Sequence, residues 1–86
     1  MEQTLTGTVT LAGNPLPDVT VTISSPSLQA TRTTTADVNG NYEFGSIPVG
    51  QYKVRFEMQG TSPVTRSVEV GQGQTARVDA ELTPNA

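Results

Sequence analysis

Three oxygen-bearing side chains stand at alternate positions in one short segment, Asp37-x-Asn39-x-Asn41. Carboxylate and amide oxygens are the ligands that Ca²⁺ prefers, and it usually takes about six to eight of them. A calcium loop of the EF-hand type needs glycine at its sixth position and glutamate at its twelfth, but here Gly40 is fourth and Pro48 is twelfth. We therefore interpret the run as a turn in which Asp37 or Asn39 caps backbone N–H groups, and we predict no bound metal or cofactor.

Four further carboxylates are candidates for acid–base chemistry: Glu43, Glu57, Asp79 and Glu81. A glycosidase pair needs a cleft and a defined separation between its two carboxyl groups. A small domain with a filled core leaves little room for such a cleft. We instead expect Glu43 and Glu57 to form charge pairs with Lys53 and Arg55 across the exposed face of a hairpin, where each pair contributes well under about 1 kcal/mol.

Two residue types that carry much of protein chemistry are missing, because the chain contains no cysteine and no histidine. Their absence removes disulfides, thiol catalysis, thiolate metal sites and the commonest general base. We therefore assign no catalytic residues and predict that the chain is not an enzyme. The net charge of −3 and the scattering of the five basic residues disfavour nucleic acid and anionic membrane surfaces as partners.

The length of 86 residues predicts one domain, which we assign to residues 1–86 with a core of about 5–83. No apolar run approaches the roughly 20 residues that span a bilayer, so we expect no direct membrane insertion. Residues 1–15 lack a basic start and an apolar stretch, so we expect no signal peptide. We interpret the chain as a module taken from a longer protein and expect it to be monomeric in isolation.

Alternation of apolar and polar residues recurs along the chain, which is typical of strands with one buried face. The most regular run is QYKVRFEM, residues 51–58, and a weaker run at 28–36, anchored by Leu28 and Ala30, is predicted to be an edge strand. About seven such strands, with turns between them and no helical segment, predict an all-β sandwich of antiparallel or mixed sheets.

Turns and core follow from the same pattern. Asn39-Gly40 is predicted to supply the positive φ of a tight hairpin turn, and Pro48 and Gly50 to form a short connection. All four aromatic residues lie between positions 42 and 56. The predicted core consists of Leu5, Val9, Leu11, Val19, Val21, Ile23, Tyr42, Phe44, Ile47, Tyr52, Val54, Phe56, Val68, Val70, Val78 and Leu82.

Several spaced motifs extend over most of the chain, roughly residues 5–83. They are a Gly-x-Val opening strand, a Pro-Leu-x-x-Val turn, a Thr-x-Asp-x-x-Gly-x-Tyr-x-Phe segment, a Pro-x-Gly-x-Tyr segment and a final Gly-Gln-Thr-x-x-Val-x-x-x-Leu strand. With them the chain resembles the carboxypeptidase regulatory-like domain, a transthyretin-like sandwich of Greek-key type. The matching positions are Gly7 and Val9; Pro15, Leu16 and Val19; Thr35, Asp37, Gly40, Tyr42 and Phe44; Pro48, Gly50 and Tyr52; Gly73, Gln74, Thr75, Val78 and Leu82.

The resemblance is to the copies that stand N-terminal in bacterial TonB-dependent outer-membrane receptors. It implies a non-catalytic accessory module of a cell-envelope protein, periplasmic or at the cell surface, with adjacent domains or another protein as partners. The related Cna B-type domains form an internal isopeptide from a lysine on the first strand. Here the first strand has none, and Lys53 and Asp79 both alternate outward, so we expect no such bond.

Two alternatives remain open at the level of sequence. One is a binding module that takes a peptide by strand addition at the 28–36 edge, or a carbohydrate on one face. Sugar binding usually uses exposed aromatic side chains, and the alternation buries all four of them. The other alternative is an engineered scaffold, which the absence of cysteine would suit.

Overall fold

Nine β-strands in two sheets account for the regular structure of residues 3–85, the part of the chain that the computed structural model describes. The prediction of an all-β sandwich is confirmed, with nine strands rather than about seven. The described residues form no helix, and so none that could cross a membrane. The strands are β1 Gln3–Leu11, β2 Asn14–Pro15, β3 Thr20–Ser24, β4 Arg32–Thr35, β5 Asn41–Ile47, β6 Gly50–Glu57, β7 Val64–Val70, β8 Thr75–Arg77 and β9 Ala80–Leu82.

The first sheet is built around β1, which is paired along both of its edges. Strands β2 and β5 run antiparallel to β1, and β8 and β9 run parallel to it. The backbone of Val9 bonds toward Gly40 and Leu16, on the side of β5 and β2, whereas Thr6 accepts a bond from Val78, on the side of β8 and β9. Because successive residues of a strand direct their backbone groups to opposite edges, β1 is the central strand.

The second sheet is fully antiparallel, in the order β4-β3-β6-β7. The described chain therefore crosses between the sheets four times: between β2 and β3, between β4 and β5, between β5 and β6, and between β7 and β8. Asn39-Gly40 accordingly joins strands of different sheets, and the prediction of a hairpin turn there is wrong. The next crossing, between β5 and β6, separates Glu43 from Lys53, so these two residues do not face each other across a hairpin.

The core consists of the inward side chains of both sheets, as the alternation predicts. Tyr42 contacts two other aromatic rings of this core edge-on, with centroid distances of 6.2 Å to Phe44 and 5.5 Å to Phe56. Leu11 and Val68 are only half-buried, because one ends β1 and the other lies in an edge strand. The buried apolar residues are Leu5, Val9, Val19, Val21, Ile23, Ala36, Tyr42, Phe44, Ile47, Tyr52, Val54, Phe56, Val70, Ala76, Val78, Ala80 and Leu82.

The predicted edge strand at 28–36 is shorter than the sequence indicates. Only Arg32–Thr35 pairs with β3, and Ala30, expected to anchor the strand, is exposed. Leu28 is half-buried in the loop that precedes the strand. The polar residues around these two positions give too few buried contacts to hold a longer strand against the sheet.

Candidate functional site

The last strand is interrupted at Val78 and Asp79, which we call the β8–β9 junction. Thr75 to Arg77 pair with Thr4 to Thr6, and Ala80 to Leu82 pair with Val9 to Leu11. The spacing between partner residues is the same on both sides of the junction, so no residue is inserted. The two junction residues have instead turned out of a ladder that continues in register around them.

The carbonyl oxygen of Val78 points into the core at this junction. It accepts a hydrogen bond of 2.5 Å from the Tyr42 hydroxyl, while the Val78 N–H donates to Thr6 O at 2.8 Å. It also lies directly over Gly7, where an added Cβ would be 1.8 Å from the Val78 oxygen. The carbonyl therefore occupies the space that any other side chain at position 7 would fill.

The Asp79 carboxylate replaces the missing backbone acceptor on the outer side of the junction. Its Oδ1 accepts from the Thr8 N–H at 2.8 Å and lies 3.2 Å from Arg77 Nε. Arg77 in turn donates to Thr8 Oγ1 at 2.9 Å. These side chains are more than half exposed, so they tie β1 to the final strands at the surface.

The electrostatics of the junction keep the Tyr42 hydroxyl protonated. Burial raises the pKa of Tyr42 well above its usual range, and the nearby Asp79 carboxylate raises it further, while Arg77 acts in the opposite direction. A neutral hydroxyl is the form that donates to Val78 O. The group is therefore a permanent hydrogen-bond donor, and nothing in its surroundings activates it for acid–base chemistry.

The calcium candidates form a capped turn. Asp37 Oδ1 accepts from the N–H groups of Asn39 and Asn41, both at 2.9 Å, and Gly40 N–H donates to Asp37 O at 2.9 Å. Gly40 has φ 76°, and Asn41 Oδ1 accepts from Thr8 Oγ1 at 2.7 Å. Among residues 3–85 no group of three or more acidic, histidine or cysteine side chains could hold a metal, and the prediction of no metal remains to be tested.

The second predicted turn, Pro48 to Gly50, lies at the other end of β5. The Tyr52 hydroxyl donates to Pro48 O at 2.6 Å. Gly50 has φ 151°, and a Cβ there would lie 2.4 Å from Ser27 Oγ. The residues predicted to supply the centre of the core are each at most 3% exposed; they are Tyr42, Phe44, Tyr52, Val54 and Phe56.

The four candidate carboxylates are divided between the two sheets and form no acid pair. Glu57 lies 3.2 Å from Arg55, two residues away on the same strand. Glu81 accepts hydrogen bonds from Thr10 Oγ1 and from Gly13 N, and the bond from Thr10 is the main cause that lowers the pKa of Glu81. Glu57, Asp79 and Glu81 thus pair with arginine or accept structural hydrogen bonds, whereas Glu43 is an exposed residue of β5.

The amine and carboxyl considered for an isopeptide also lie apart. Lys53 points outward from β6, beside Ser24 and Ser67 of the neighbouring strands, and is exposed. Asp79 belongs to the other sheet, and the β1 position that faces the junction is Gly7. The structure therefore does not bring this amine and this carboxyl together.

Two polar contacts in the interior were not predicted from the sequence. Gln3 is 5% exposed, and its side chain donates to Ile47 O at 2.8 Å and accepts from Gly73 N at 2.9 Å. The second unpredicted contact is the hydrogen bond from the Tyr42 hydroxyl to Val78 O. A glycine at an inward position of an otherwise apolar strand, Gly7, was the available signal for close backbone approach.

The family model described as carboxypeptidase regulatory-like domain matches residues 4–83. A curated relative, the TonB-dependent transporter Oar of Myxococcus xanthus, is 41% identical over 86 residues. That match covers 96% of this chain but only 8% of the transporter. The chain therefore corresponds to a small part of that relative.

Solved structures share the fold at much lower identity. The Bacillus anthracis TIE protein superposes with a TM-score of 0.81 at 20% identity, over 94% of this chain and 16% of that one. The 3-chlorocatechol 1,2-dioxygenase of Rhodococcus opacus 1CP superposes with a TM-score of 0.78 at 11% identity, over 99% of this chain and 60% of that one. At such identities the likeness concerns the fold alone.

Replacing Gly7 with alanine is expected to destabilise the domain by about 1–3 kcal/mol or more, because the new Cβ collides with the Val78 carbonyl. Gly45→Ala is the matched control, since a Cβ on that strand residue meets nothing within 4 Å. We expect the control to be neutral or slightly stabilising. Denaturant titration measures both, and equal stabilities would contradict the close approach at the junction.

Replacing Tyr42 with phenylalanine is expected to cost about 1–3 kcal/mol, because the Val78 carbonyl loses its buried donor. The folded pKa of Tyr42 lies above the unfolded value of 10.0, so its stabilising contribution is present below that value and is lost as pH rises beyond it. Unfolding free energies across this pH range should therefore fall less steeply in Tyr42→Phe than in the unsubstituted chain. Parallel curves would show that Tyr42 does not make this contribution.

Adding calcium or a chelator should leave the melting temperature unchanged, because Asp37 Oδ1 already accepts hydrogen bonds within the turn and Asn41 Oδ1 accepts one from Thr8 of β1. A ligand that binds only the folded state must raise that temperature. The measurement is a thermal melt with and without calcium, repeated on Asp37→Ala. A calcium-dependent rise that disappears in this variant would establish the site that we predict to be absent.

Proposed function

The chain belongs to the carboxypeptidase regulatory-like domain family, and we propose that it is a non-catalytic accessory module of a larger bacterial cell-envelope protein. The larger protein is of the TonB-dependent transporter class, and the module spaces or docks its neighbouring domains. The observation that carries this proposal is the 41% identity to a TonB-dependent transporter, in a match that covers 96% of this chain.

The arrangement of polar groups supports a role without chemistry. Among the acidic groups considered as catalysts, Asp79 and Glu81 accept hydrogen bonds from β1, and Glu57 pairs with arginine at the surface. All four aromatic side chains are buried, so they provide no stacking platform for a sugar. The exposed faces carry threonine, serine and scattered charges, which suit contact with neighbouring domains through polar surfaces.

Deletion of residues 3–85 from the parent gene tests the proposal, with the amount of parent protein in the envelope fraction and uptake of its substrate as readouts. We expect deletion to lower at least one of them. A second version carries an unrelated β-sandwich of similar length in place of these residues. Restoration by that version indicates spacing, and failure to restore indicates docking by this particular surface. Deletion that changes neither readout would contradict the proposal.

A further inference from the structure

The two ends of the described chain lie at opposite ends of an elongated molecule whose Cα atoms span 40 × 21 × 16 Å. Gln3 begins β1 beside Ile47 and Gly73. Because β9 runs parallel to β1, the chain leaves the sheet at the far end of β1, where Thr83–Asn85 bond to Gly60–Ser62. A force transmitted through the chain therefore acts along the strands.

Such a force would load β1 and the final strands in a particular way. The force pulls β1 at its first residue and β9 at its last residue, in opposite directions. These two strands are hydrogen-bonded neighbours. The bonds of a sheet run across the strands, so this load shears them and many of them share it at once. Strands that are instead pulled apart from one end lose their bonds one after another.

We propose that this domain is a tension-bearing element, in which β1, β8 and β9 form a shear clamp that resists extension along the chain. The proposal rests on the accessory role above only for the source of the load, since the clamp itself is a property of the fold. What the clamp takes up is tension between flanking parts of a longer chain, and it needs no bound ligand.

The pairing of β1 on both edges makes the clamp stronger than one ladder alone. For β1 to slide, it must break its antiparallel bonds to β5 as well as its parallel bonds to β8 and β9. The Tyr42 hydroxyl bond to Val78 spans the same place from β5 to the β8–β9 junction. The three strands are therefore joined across Gly7 and must separate together.

The β8–β9 junction is the point at which the clamp would otherwise be weak, because two residues there leave the ladder. Asp79 closes the gap by accepting from the Thr8 N–H at 2.8 Å, and Arg77 holds both Asp79 and the Thr8 hydroxyl. We assign Asp79 the role of restoring a load-bearing bond at this position.

Single-molecule force spectroscopy tests the clamp, and the absence of cysteine from the chain allows thiol handles at chosen sites. Cysteines added beyond the two termini load the clamp in shear. The variant Gln51→Cys/Glu69→Cys instead loads the open end of the β6–β7 pair, where these two exposed residues are direct partners. We expect a several-fold higher rupture force for terminal loading, since forced unfolding is governed by the barrier on the loaded path.

Asp79→Ala tests the junction, and the chain offers a matched control in Glu57→Ala. Each variant removes a carboxylate that lies 3.2 Å from an exposed arginine two residues earlier in the chain, Arg77 for Asp79 and Arg55 for Glu57. Glu57, however, lies in the other sheet. We expect Asp79→Ala to lower the terminal rupture force, Asp79→Asn to recover much of it through its remaining acceptor oxygen, and Glu57→Ala to leave it unchanged. Thermal melts identify any loss that reflects general destabilisation.

The outcomes are decisive in either direction. Equal rupture forces for terminal and β6–β7 loading would overturn the clamp, and equal effects of Asp79→Ala and Glu57→Ala would overturn the role of Asp79. The measurement uses only this chain, whereas the accessory role is tested in the parent protein. Each of the two proposals can therefore fail while the other stands.

Discussion

The rest of the structure depends on the hydrogen bond between the Tyr42 hydroxyl and the carbonyl of Val78. A carbonyl group turned into an apolar core must find a donor, because leaving it unpaired costs about as much as a lost hydrogen bond. Tyr42 provides that donor from β5 while its ring packs on Phe44 and Phe56. Gly7 is the residue that allows the approach, since a Cβ would overlap the carbonyl. This one contact thus requires a tyrosine on β5, a glycine on β1 and an inward carbonyl at the β8–β9 junction.

The second sheet has a different problem, because its outer strands β4 and β7 each leave one edge without a partner in the described chain. Arginines on these strands limit pairing with another chain. Arg32 reaches across to donate to Gly45 O and lies 5.9 Å from the centre of the Phe44 ring, which closes the gap between β4 and β5. Arg66, opposite the buried Val54, places a charge on the inward side of β7. Inward charges of this kind are a recognised protection against edge-to-edge association.

Most of the fold could be predicted from the sequence, because alternation is a local property that assigns each residue of a strand to a face. Tyr52, Val54 and Phe56 are buried, and Lys53 and Arg55 exposed, for this reason alone. Which strands become neighbours depends on contacts between distant parts of the chain, and alternation carries no information about them. Asn39-Gly40 has the composition of a hairpin turn, yet it joins two sheets. The interruption of the last strand at Val78 and Asp79 could not be predicted from the alternation, because the register is the same on either side of it.

The same balance of burial and hydrogen bonding governs the polar groups inside this sandwich. A catalytic group has to be held with unsatisfied bonding capacity or a shifted charge, and both are costly in a small core. Among residues 3–85 no buried side-chain nitrogen or oxygen lacks a hydrogen-bond partner. Tyr42, which has the strongest shift of pKa, is held in its neutral form by the core around it. The polar groups of the described interior therefore serve the fold, through hydrogen bonds that hold its strands together.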